Sequence, residues 1–140
     1  NANTPTDIGF SFRGLSRRGG ASGEHADGWG LASFRPDGSG LTLLREEVPA
    51  AFSALAEQLA DRSPQALVSL AHIRKATRGA VALENCHPFT RNWRGQTWVF
   101  AHNGDLGGGA SHWGSATGRS AAPTAKRPSA GCWSNWIAPM

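Results

Sequence analysis

Two features of this sequence could act together on a small polar substrate: an arginine ending one apolar run, and an Asn-Gly pair ending another. Arg74 follows Val68-Ser69-Leu70-Ala71-His72-Ile73, and its planar guanidinium fork suits a bidentate grip on a carboxylate. Thr77 stands at the same end of that run. The second run, Thr97-Trp98-Val99-Phe100-Ala101-His102, closes on Asn103-Gly104. The Asn103 side-chain amide can donate to a developing oxyanion, and a backbone N–H of the turn supplies a second donor. The matching substrate would carry both a carboxylate and a reactive carbonyl. Each feature also has a plain structural reading. An arginine at a strand end serves equally in a surface ion pair, and Asn-Gly serves equally in a hairpin turn.

A nucleophile is the missing part. Cys86 is the one cysteine among the motifs, with His87 beside it. Neighbouring side chains on a strand point to opposite faces, so the two make a poor catalytic pair unless a turn reorients them. Cys86 reads better as a small packing residue. His25, His72, His87 and His102 match no short metal-ligand spacing, so no metal is expected. In Asp27-Gly28-Trp29-Gly30 the glycines suggest close backbone approach where a strand begins; a glycine-tolerant turn with Trp29 plugging the core fits the same residues. No phosphate-binding glycine pattern follows, and no cofactor is expected.

The elements that must position these residues follow from periodicity. Ile8-Gly9-Phe10-Ser11-Phe12 alternates, which predicts a short strand with Phe10 and Phe12 on one side. Residues 13–28 then read as a long glycine-rich loop, either mobile or functional. A strand carrying Ala32 and Phe34 leads into Arg35-Pro36-Asp37-Gly38-Ser39-Gly40, a hairpin connection, and residues 41–45 return antiparallel. Pro49 opens a helix whose apolar stripe is Phe52, Leu55, Ala56 and Leu59, ending near Arg62 with Pro64 as its exit. Residues 66–74 form a strand buried on both faces near its centre, with His72 and Arg74 on one side and Ile73 on the other. Residues 80–84 fit no single element, Asn85-Cys86-His87-Pro88-Phe89 forms a compact corner, and Gly95 precedes the last strand.

A chain of 140 residues suits one domain with a real core. Its net charge of +4, from 14 basic and 10 acidic residues, is scattered, so no nucleic-acid partner is expected. Two cysteines make no disulfide framework. Neither a membrane-length apolar run nor a signal-peptide pattern is visible, which leaves the cytoplasm as the default location and no membrane partner.

Four pieces occur in order: Asp27-Gly28-Trp29-Gly30, Ala71-His72-Ile73-Arg74-Lys75-Ala76-Thr77, Glu84-Asn85-Cys86-His87-Pro88-Phe89 and Phe100-Ala101-His102-Asn103-Gly104. Together they resemble the class II glutamine amidotransferase domain, in its compact bacterial type, over residues 1–106. The resemblance implies an α+β fold of the N-terminal nucleophile hydrolase kind, a four-layer α/β/β/α sandwich, here incomplete. It implies hydrolysis of the glutamine side-chain amide, with ammonia passed to an unidentified acceptor or synthase partner. Arg74 would clamp the glutamine α-carboxylate, with Thr77 shaping that end. Asn103 and Gly104 would match the oxyanion-stabilising pair. His72, Asp27, Gly28 and Trp29 would support the pocket, His102 would orient its floor, and the loop from Arg17 to His25 would lie near the entrance.

The family's nucleophile is a cysteine at the mature N-terminus, on a short strand preceding the segment that matches Asn1 to Phe12. No residue here matches it, so the chain as given is expected to be defective. The far end departs as well. Residues 107–140 form a Gly-, Ala- and Ser-rich tail where relatives carry a helix-bearing segment containing Thr-Asp-Ser-Glu. GC-rich codons for residues 118–133, read in a neighbouring frame, give approximately that text, which implies a frameshift at or just after Leu106; a native disordered tail is the competing reading. Against the amidotransferase reading stand a noncatalytic glutamine- or amino-acid-binding remnant acting through protein contacts, and, more weakly, a cysteine hydrolase using Cys86.

Overall fold

The computed structural model describes residues 1–103 and the two-residue strand Trp136–Ile137. Its first element corrects the sequence reading. Residues Gly9–Arg18 form a helix, α1, not a strand running into a loop. Ile8, Phe12, Leu15 and Ser16 fall at helical spacing and pack inward. Phe12 is 2% exposed and Phe10 92%, so the apparent alternation joined a core residue to a surface one. Arg17 and Arg18 in the last turn complement the negative end of the helix dipole. The loop that follows is correspondingly shorter, and Gly19 and Glu24 bridge across it.

Strand β1 (Trp29–Phe34) pairs antiparallel with β2 (Leu41–Glu46) across the expected hairpin, in the register Phe34↔Leu41 to Trp29↔Glu46. The expected helix after Pro49 is split. Ala50–Phe52 make one 3-10 turn, Ser53 is extended, and α2 spans Ala54–Asp61. The Ser53 hydroxyl accepts from Ala56 N at 3.0 Å and caps α2. That break takes Phe52 out of the apolar stripe and leaves it 73% exposed, while Ala56, Leu59 and Ala60 carry the buried face.

Strand β3 (Val68–Ile73) pairs with the other side of β1, completing a sheet of order β2-β1-β3. It is half-buried beyond Val68, not buried on both faces. An edge strand has only one neighbour to cover it. Among the described residues its outer side meets the N-terminal segment near the start, where Thr6 bridges Ala66 and Ala2 N donates to Leu67 O at 2.8 Å.

A second sheet has the order β4-β5-β6, from Phe89–Trp93, Gln96–Phe100 and Trp136–Ile137. Arg94 and Gly95, both at positive φ, form the two-residue turn between β4 and β5. This is the conformation whose twist suits a tight hairpin.

Two cores lie on opposite faces of the first sheet. Phe12, Trp29, Leu31, Ala50, Ala56 and Leu59 pack beneath the helices, joined by Leu44, Ala71 and Ile73. On the other face Ala32, Phe34 and Val68 meet Val99 of the second sheet. The described residues thus stack as helices, sheet and sheet, an α+β arrangement. Among them, no helix is long and apolar enough to cross a membrane.

Candidate active site

Strand register sets up one row of residues on the inner face of the first sheet. Arg45 on β2, Gly30 on β1 and His72 on β3 stand directly opposite one another. The middle of that row has no side chain, and the backbone of residues 86–87 occupies the space. A Cβ on Gly30 would lie 2.3 Å from the His87 carbonyl oxygen. Gly28, at φ +119°, is equally committed: a Cβ there would fall 2.4 Å from Cys86 Sγ and 2.9 Å from Glu46 O. The glycines on either side of Trp29 therefore form the notch that seats the corner at residues 85–89. Arg45 Nη1 secures it by donating to Cys86 O at 3.1 Å.

Cys86 is fully buried, and its Sγ donates to Glu46 O at 3.3 Å and Ala82 O at 3.5 Å. Burial pushes its thiol pKa up, against smaller opposing effects of Arg74 and Arg45. A protonated, enclosed thiol is a packing group and not a nucleophile. Trp29 is likewise interior. It packs on Phe12 at 5.5 Å between ring centroids and donates from Nε1 to Glu46 Oε2 at 3.1 Å.

Beyond β3 the ladder to the Asp27 segment continues. Arg74 N donates to Gly28 O at 2.7 Å, Asp27 N to Arg74 O at 3.0 Å, and Ala76 N to the Asp27 carboxylate at 2.7 Å. The Arg74 side chain, 6% exposed, turns back onto this frame, donating to Asp27 O at 3.3 Å and Arg78 O at 3.2 Å. Its plane is therefore fixed before any ligand arrives. Thr77 is exposed in the bend that follows. Lys75 pairs with Glu24, which ties the α1–β1 loop to the same corner.

Sequence reasoning did not include His87 among the site residues. Its ring is the centre of an aromatic cluster, with centroids 4.5 Å from His72, 4.5 Å from His102 and 4.5 Å from Phe89. Phe100 lies 6.5 Å away. The Nδ1 atoms of His72, His87 and His102 are all buried without a hydrogen-bond partner among the described residues. Burial, then the neighbouring His72, His102, Arg74 and Arg45, lowers the His87 pKa from 6.5 to about 3. Burial also lowers that of His72, opposed in part by a backbone contact with His102. The His72 and His87 rings are therefore neutral at physiological pH. No group of three potential ligands suited to a metal ion occurs among the described residues.

The cluster draws together two of the sequence-predicted sites. His72 precedes Arg74 by two residues, and His102 immediately precedes Asn103, which is exposed in a bend. Gly104 lies outside the described residues, as do residues 107–140 apart from β6. A surface groove lined by Arg13, Arg17, Phe52 and Glu57 sits on the helical side and takes no part in this arrangement. A short cross-sheet distance is not encoded in residue spacing; the only local signal for His87 was its place in the Asn85–Phe89 corner.

The chain belongs to the class-II glutamine amidotransferases: the family model described as "Glutamine amidotransferases class-II" matches residues 1–120. Its α+β fold is related to that of the N-terminal nucleophile hydrolases. It is 47% identical over 108 residues to YafJ of Escherichia coli, whose name provisionally assigns it as a glutamine amidotransferase. A Haemophilus influenzae protein with the same provisional assignment is 49% identical over 106 residues. These alignments cover 77% and 76% of this chain, which spans 42% and 35% of the relatives' lengths. The crystal structure of a predicted glutamine amidotransferase from Pseudomonas aeruginosa PA01 is 30% identical, with a TM-score of 0.41, covering 80% of this chain and 40% of that one.

Proposed function

We propose that this chain is part of a glutaminase-type amidotransferase domain, acting on glutamine to give glutamate and ammonia, with the ammonia taken up by an acceptor or synthase partner. One observation carries the reading beyond family membership. His72 near the end of β3 and His102 beyond β5, which lead to Arg74 and Asn103, both meet the His87 ring at 4.5 Å between centroids. Arg74 then grips the α-carboxylate, Thr77 borders that end, and Asn103 with Gly104 stabilises the oxyanion formed at the amide carbon. Asp27 and Gly28 hold the arginine corner, Trp29 anchors their strand in the core, and His72 and His102 line the floor.

The nucleophile in this reading is a cysteine N-terminal to Asn1. Its thiolate adds to the amide carbonyl. Collapse of the tetrahedral adduct expels ammonia, which takes its proton from the cysteine's α-ammonium group, and water then cleaves the thioester to glutamate. The outer edge of β3 supports this placement. The N-terminal segment bridges antiparallel at Thr6↔Ala66, and Ala2 N then donates to Leu67 O; the register proposed from there sets Ala2 across from Leu67. Continued in that register, about six further residues at ~3.3 Å each would bring the chain alongside Arg74. The complete protein in this reading is a cytoplasmic four-layer sandwich whose second helical layer comes from sequence beyond the described residues. Residues 107–140 would be the product of a frameshift after Leu106, which sequencing the gene would check; an uninterrupted frame with no downstream Thr-Asp-Ser-Glu equivalent would overturn it.

A second reading, a noncatalytic glutamine-binding remnant, is favoured by one observation: the only described cysteine, Cys86, is enclosed and protonated. Intact mass and N-terminal sequencing, followed by assays of glutamine binding and glutamate release, separate the two. Release dependent on an N-terminal cysteine supports the enzyme. Binding without turnover supports the remnant, and absence of binding by a folded chain overturns both.

A further inference from the structure

His87 has no part in the chemistry just described, yet it touches more of the site's framework than any residue that has. Its carbonyl fills the Gly30 notch of β1, its ring meets His72 at the end of β3, and it meets Phe89 on β4 and His102 beyond β5. The segment behind it is fixed by Arg45 to Cys86 O and by Cys86 to Glu46 O. Asn103 itself is exposed, so whatever holds its turn must act through the preceding residues. Of these, His102 leans on the His87 ring and on Phe100, at 5.5 Å between centroids.

We propose that His87 is a positioning residue: a ring clamped to the first sheet at Gly30 that fixes residues 101–103, the Asn103 turn, against the Arg74 corner. The functional meaning of that spacing rests on the amidotransferase reading; the mechanical role does not. A clamp of this kind works through shape. The buried His87 Nδ1 has no hydrogen-bond partner among the described residues, and its surroundings are the rings of His72, Phe89 and His102, so ring packing is what His87 offers; the polar contact in the cluster joins His72 to the His102 backbone. An aromatic ring without nitrogens should therefore replace His87, while a small side chain should not.

The test uses the full chain at pH 7.5 with His87→Ala and His87→Phe variants, read by NMR backbone order parameters and by glutamine affinity. In the unsubstituted chain, residues 101–103 should show rigid values near about 0.85, falling below about 0.6 in His87→Ala while residues 30–33 stay rigid. His87→Phe should restore them. Glutamine affinity should fall at least tenfold in the alanine variant and return to within about twofold in the phenylalanine variant. Three results overturn the proposal: a turn already mobile in the unsubstituted chain, a turn unmoved by His87→Ala, or equal loosening of residues 30–33. Should His87→Ala not fold, His87→Phe decides alone, since a turn loosened by a substitute ring refutes the clamp. A chain that binds no glutamine but shows the expected loosening refutes the functional reading and leaves the clamp standing.

Discussion

At the scale of single residues, most of the site's framework rests on places where a side chain is excluded or kept uncharged. Gly28 combines φ +119° with a Cβ position 2.4 Å from Cys86 Sγ. Gly28→Ala is expected to destabilise the fold by on the order of 3 kcal/mol, from backbone strain and overpacking together, measured as a lower urea midpoint. Companion removal of the sulfur by Cys86→Ala should recover part of that loss. The histidines predict a pH dependence with a definite sign. In the fold, burial and the facing His72, His102, Arg74 and Arg45 hold His87 near 3, while in the unfolded chain it titrates at 6.5. Between those values the unfolded state binds more protons, so stability rises with pH and is lost as pH falls from 6.5 toward 3. His72 adds to the same trend. The lowered carboxyls of Asp7, Glu24 and Asp37 act only below their ordinary values of 3.8 to 4.5. Thermal midpoints recorded between pH 6.5 and 5 therefore isolate the histidines, and His87→Phe should flatten that slope.

Among the elements, α2 owes its start to one hydroxyl. Ser53→Ala removes the bond to Ala56 N and the contact with Glu46. It should cost about 1 kcal/mol, seen as a fall of a few degrees in the melting midpoint. The elements also show what residue spacing reveals. The β1–β2 hairpin was legible because Asp37-Gly38 interrupts two β-favouring runs, and β3 because residues 66–73 are a nearly continuous apolar run, along whose end a period of two sets His72 against Ile73. Helix α1 was not, because Ile8, Phe10 and Phe12 mimic that period while the real contacts follow Ile8, Phe12, Leu15 and Ser16. Two glycines in the helix further weaken its local signal. Arg74 and Asn103 could be singled out because each ends a run. His87 could not, because its importance arises only where two sheets meet.

For the whole molecule, the outer side of β3, which beyond its start pairs with no other strand among the described residues, sets a consequence for stability. If the chain is extended by the proposed cysteine-led strand, it should gain backbone hydrogen bonds there, worth together on the order of 1–2 kcal/mol net, measured as a higher urea midpoint than that of residues 1–140. An exposed edge is also where chains associate. Sedimentation of the 140-residue form should show concentration-dependent association that the extended form lacks. The same edge invites reconstitution from two pieces. A synthetic peptide led by cysteine, standing for the strand proposed to precede Asn1, need not be joined to Asn1 to lie along Val68–Ile73. Added in solution, it would act as a detachable catalytic part, and its sequence could be varied one position at a time without remaking the protein.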